Sequence, residues 1–163
     1  MKKANNMRKI FRPGAIGTLM DEYERVALEL KNLLSAITQE EFIKISDPLT
    51  KDEDCRSIQS VMKHVVSAGY RYADQICLFL KLPLEKHNPH IYNLVHAIDE
   101  LENVLSYTAK LVENNLTMTR EEIFSTRQET RWGNYDIEMM FEHAIVHILR
   151  HRRQIEKFLI SLK

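Results

Sequence analysis

The chain holds 163 residues, 44% of them hydrophobic, with 23 Lys and Arg balanced by 23 Asp and Glu. That length suits one domain, too short for two ordinary ones, and buries enough surface to fold without disulfides. Zero formal net charge speaks against a generally basic, nucleic-acid-binding or membrane-binding surface; four Gly and four Pro are too few for an all-β fold or a glycine-rich phosphate loop, and no apolar run is long enough to span a membrane.

The N-terminus carries Lys2, Lys3, Arg8, Lys9 and Arg12 without an acid. No apolar run follows, so it is not a secretory signal, and residues 1–12 read as a short mobile basic tail. Beyond it the apolar period is helical. A first helix is expected over 14–37, opened by Arg12-Pro13-Gly14, with the stripe Ile16, Leu19, Tyr23, Val26, Leu30, Leu33 and Ile37 in steps of three and four. A charged connection of some twenty residues follows, with one apolar knot at Phe42, Ile43 and Ile45. So long a connection is often functional or packs as a lid. Ser57 caps a second helix over 58–82, ended by Pro83. The third is expected to open at Asn88-Pro89 and to carry Ile91, Leu94, Ile98, Leu101, Leu105, Thr108 and Val112. A second irregular connection spans 116–134, in which Thr119 to Glu122 can open a single helical turn. The fourth helix runs from about Asp136 with the stripe Ile137, Phe141, Ala144, Ile148, His151, Ile155, Phe158 and Leu162. The expected fold class is all-α: one four-helix bundle with long connections between helices 1–2 and 3–4.

Two cysteines, Cys55 and Cys77, make neither a disulfide framework nor a zinc-finger spacing. Cys77 sits in an apolar run and reads as core. Cys55, a free thiol in a polar loop, suits a reducing compartment, and a cytoplasmic protein is expected.

Seven histidines are the compositional oddity. His143, His147 and His151 form two nested i,i+4 pairs, a spacing that puts imidazoles on one helix face within chelating reach. His151 stands on the apolar seam. His147 is rotated from it by about 40° and His143 by about 40° more, toward the rim. From the stripe alone, His151 is equally well a core histidine bonded across the interior. A third ligand has to come from another helix; His64, flanking the core side of helix 2, is the candidate, with a structural histidine as its plainer reading. His96 falls off its stripe and is expected to be exposed, while His87 and His90 lie in the loop around Pro89. Three protein histidines would leave a coordination position open, the pattern of a catalytic zinc site. No Glu-x-x-His, His-Asp or Cys-x-x-Cys-His occurs, which removes di-iron carboxylate bundles, HD-type phosphohydrolases and attached c-type haem.

His64, followed far along the chain by His147, Arg150, His151, Arg152, Arg153 and Gln154, resembles the DinB-like family of four-helix metalloproteins. Trp132-Gly133 and Arg12-Pro13-Gly14 are similar to family members too, and the likeness spans 12–162. Arg153 departs from the common Gly, and His143 is an addition. The resemblance implies a divalent ion, zinc or nickel, held by His64, His147 and His151. It also implies chemistry in which that ion activates a low-molecular-weight thiol. The expected partners are therefore a small-molecule thiol, an electrophilic substrate and a second copy of the chain in a homodimer, with no nucleic acid and no membrane. A metal-dependent hydrolase using bound hydroxide is the close alternative, and a non-catalytic helical stress or interaction module the third. No catalytic residue is assigned. Glu142, Tyr72 and Arg150 stand within about a turn of a ligand as candidate base, proton donor or anion clamp. The cations Arg150, Arg152, Arg153 and Lys157 are read as complementing a helix C-terminus.

Overall fold

A computed structural model describes residues 11–161. The elements follow as α1 (Gly14–Ser35), α2 (Gln39–Ile43), a 3₁₀ turn (Glu53–Cys55), α3 (Ile58–Phe79), α4 (Leu94–Val112), α5 (Arg120–Ser125), the strands β1 (Gln128–Thr130) and β2 (Gly133–Tyr135), and α6 (Ile137–Ser161). The fold is all-α apart from one small hairpin, and no helix in the described residues is long and apolar enough to cross a membrane.

Four long helices bury their apolar faces against one another. α1 packs on α6 and α4, and α3 packs on α4 and α6. On α1 the fully buried residues are Ile16, Met20, Val26, Ala27, Leu30 and Leu34, while Leu19 and Leu33 of the expected stripe are only partly buried. The buried face is thus broader than a single seam and is turned toward Met20 and Leu34. α3 is buried over a still wider arc, because it lies against two long helices at once: Val61, Met62, Val65, Val66, Ala68 and Gly69 are all covered. Its N-terminus is a capping box in which Ser57 and Ser60 satisfy each other's backbone N–H.

The third long helix starts at Leu94 and not at Asn88-Pro89. Asn93 is the cap: its side-chain oxygen accepts from the N–H of His96 at 2.8 Å. Residues 82–91 instead form a strap without regular helix, and Gln59 donates to the carbonyls of Ile91 and Tyr92 near its end. Asn-Pro marks a turn as readily as a helix start, which is why it misleads here. Of the knot in the first connection only Phe42 is buried; Ile43 and Ile45 are about half exposed. The second connection forms α5, capped by Thr119 as expected, and then a hairpin whose three-residue strands are too short to leave a periodic signature. α6 opens on Asp136, whose carboxylate accepts from the N–H of Met139 at 3.0 Å and pairs with Arg127. Leu162 lies outside the described residues.

Residues 1–10 of the expected basic tail also lie outside the described residues. Arg12, however, is anchored. Its guanidinium meets Asp21 at 2.6 Å and both oxygens of Glu24 at 2.7 Å, and its backbone N–H donates to Asp21 at 2.9 Å. Gly14 next to it has φ +75°, and a Cβ there would stand 2.2 Å from the carbonyl oxygen of Leu116. The Arg-Pro-Gly signature therefore ties the start of α1 to its own first turns and to the segment after α4. Replacing Gly14 by Ala should lower stability by about 2 to 4 kcal/mol, through a strained left-handed residue and a backbone clash. Urea denaturation measures this, and a variant as stable as the parent would remove the role given to Gly14.

Candidate metal centre

The contact between α3 and α6 decides where the histidines meet. His64 stands two turns into α3; His147 and His151 are one turn apart on the facing side of α6. Each offers a ring nitrogen, and the three nitrogens lie within 4.8 Å of one another. The Nε2 atoms of His64 and His147 are 3.1 Å apart. Two nitrogens bound to one tetrahedral zinc at its usual bond length are about 3.3 Å apart, so this pair needs almost no movement to chelate. His151 completes the triangle, its ring centroid 4.4 Å from that of His147 and 4.9 Å from that of His64.

Neighbouring groups hold two of the rings. Nδ1 of His64 lies 3.1 Å from Oδ2 of Asp54, and Nδ1 of His151 lies 2.9 Å from Oε1 of Gln154. Each oxygen favours the proton on Nδ1, which leaves the Nε2 lone pair free for an ion. Burial pushes His147 down to about 3, with His151, His64, His143 and Arg150 adding repulsion. His151 is also lowered, by burial first, against the opposing bond from Gln154. Imidazoles held neutral at pH 7 are in the state that metal binding requires. The donor set, its spacing and its protonation all fit a divalent ion.

His143 stands one turn further out. It lies outside the triangle, with Nδ1 3.2 Å from the hydroxyl of Tyr135 and its ring near Tyr72 and Trp132. Tyr72 is buried and its ring also meets His147 edge-on at 5.4 Å. Burial raises the Tyr72 pKa, so among the candidate groups it is a proton holder and not a base. Glu142 is exposed, and Arg150 is exposed where two hollows meet. The remaining histidines are elsewhere. His87 stacks on Tyr70 at 4.2 Å, His90 on Tyr92 at 5.7 Å, and His96 is half-buried, not exposed as its position off the stripe suggested.

Two hollows flank His147. One, of about 540 Å³, runs along α6 past His151 to Lys157 and is walled by Asp52, Asp54 and Cys55 of the first connection. The other, of about 320 Å³, is more apolar and is lined by Tyr135, Met139 and Val146. Sequence reasoning missed Asp54, Tyr135 and the orienting role of Gln154. Gln154 had a signal in the spacing of its motif; Asp54 had none beyond the length of its connection.

A family model described as DinB family matches residues 1–160. The chain belongs to the DinB family. Neither the curated proteins nor the solved structures provide a match. In this DinB chain the Arg-Gln tail of the histidine pair has a visible purpose at one residue, since Gln154 holds His151.

The lowered histidines set a pH dependence for the metal-free DinB chain. Unfolded imidazoles take up protons below about 6.5, whereas folded His147 resists until about 3. Between those values the unfolded state binds more protons, so stability is full above about pH 6.5 and falls as pH drops. Urea midpoints of chelator-treated protein should decrease from pH 7 to 4.5, and His147→Gln should flatten that slope. A slope unchanged by the substitution would mean that His147 is not the group held neutral.

Proposed function

We propose that this DinB-family chain is a single-domain four-helix-bundle enzyme that depends on one divalent ion, zinc or nickel, held by His64, His147 and His151. In this reading it transfers a low-molecular-weight thiol to an electrophilic substrate. The observation that carries it is the convergence of three imidazoles from two helices, two of them 3.1 Å apart at Nε2, on the edge of an open groove. A divalent ion there would favour the thiolate of a small thiol at neutral pH and leave room for it, because only three protein ligands are supplied.

The chain's own groups supply the rest. Asp54 and Gln154 fix the orientation of two ligands. Tyr72 closes the inner side, so that the approach is from the groove. His64 is partly exposed, which keeps that approach open. The alternative of a hydrolase acting on water at the same centre is favoured by Asp52 and Asp54, two carboxylates on the groove wall.

Protein purified without an affinity tag should bind about one divalent ion per chain, with affinity falling in acid as the ligands protonate. His147→Ala and His151→Ala should each lose most of it, and His143→Ala should keep it. A triple His64, His147, His151 to Ala variant that binds as much metal as the parent would sink the assignment. The apo protein should remain helical by circular dichroism, since the core contains no ligand but His151.

Cobalt-loaded protein separates the two reactions. Addition of 2-mercaptoethanol at pH 7 should produce sulfur-to-metal charge-transfer absorption, because the cation favours the thiolate below the free-thiol pKa of about 8.5. If a panel of small thiols leaves the spectrum unchanged, thiol transfer is abandoned for the hydrolase.

A further inference from the structure

Four cations follow one another on α6, and the helix end does not explain them. α6 continues to Ser161 with no basic residue in its last turn, so Arg150 and Arg153 stand two to three turns before that end, whereas the dipole effect fades within one. The four also divide by environment. Arg152 pairs with Glu29 and Glu156 on the packed side of the helix. Arg150, Arg153 and Lys157 are exposed, line the groove beside His147 and His151, and form no ion pair among the described residues.

The acids across the groove form no ion pair with these cations: each is bonded on its own wall, and the lining carries three cations against two carboxylates. Asp54 holds His64 at 3.1 Å. Asp52 accepts the N–H of Asp54 at 3.0 Å and the thiol of Cys55 at 3.3 Å. Spacing of i, i+3 and i+7 places the three free cations along one side of the helix, the farthest about 9 Å along the axis from His151. Unpaired guanidinium and ammonium groups in a concave site favour carboxylate or phosphate.

We infer that this face of the groove is an anion seat, in which Arg150, Arg153 and Lys157 bind a carboxylate or phosphate on the small molecule whose reactive group reaches the three histidines. The inference deepens the thiol-transfer reading, in that the favoured thiol is an anionic one. The seat is made of side chains present without metal and is testable apart from that reading.

The test uses the full chain, its double variant R153Q/K157Q, and titration calorimetry at fixed ionic strength. With zinc-loaded protein, mercaptosuccinate should bind about tenfold more tightly than 2-mercaptoethanol, and the double variant should lose that preference. Equal affinity for the two thiols, or a preference kept by the variant, overturns the seat. Succinate and inorganic phosphate are titrated into metal-free protein as thiol-free probes, and they tell a carboxylate ligand from a phosphate ligand. Binding of either one, lost in the variant, supports the seat even if no thiol binds, in which case only the thiol reading fails. Binding of neither overturns it. Metal stoichiometry and circular dichroism equal to the parent's show that the variant is folded.

Discussion

The approach of α3 to α6 forces three basic, polar rings into a half-buried space, and much of the surrounding structure answers that constraint. Had the rings been charged, they would repel one another at these separations with little water to screen them. Burial holds His147 and His151 neutral instead, and the Nδ1 atoms of His64 and His151 are each given an oxygen. What remains is a group of three ring nitrogens within 4.8 Å of one another. A hydrophobic replacement would fill the space more cheaply in packing terms, so these polar rings are no source of stability.

The two flanks of this point differ in chemistry. Toward the C-terminal half of α6 the surface is cationic and polar; toward the hairpin it is aromatic and apolar, with Tyr135 and Trp132 around His143. His147 and Arg150 face both.

Much of the frame could be read from apolar spacing because long helices repeat their signal many times. The stripes of α1, α3 and α6 place Ile16, Val61, Val65, Ile148 and Ile155 correctly in the core. The nested histidines and His64 were legible for the same reason, as positions on helices of known phase. Where a single local cue had to decide, it failed: Asn88-Pro89 looked like a helix start, and Asn93 proved to be the cap. Asp54 and Tyr135 were not legible, because each sits in a three-residue element, a 3₁₀ turn or a short strand, too brief to leave a repeat in the sequence. The cation row was visible, but its meaning was not. Only the paired state of Arg152 and the unpaired state of its neighbours separates a structural charge from an available one.

The outer wall of the groove is carried by the connection between α1 and α3, and little of that connection is sunk in the core beyond Phe42 and a single bridge from Ile45 to Ser57. Loop insertions are tolerated far better than changes to packed helices. Altering the length of this stretch would remodel the cleft's mouth and discard or add polar groups there, while leaving the ligands on α3 and α6 in register. A scaffold arranged this way lets the mouth of the cleft vary while the histidine cluster behind it stays fixed.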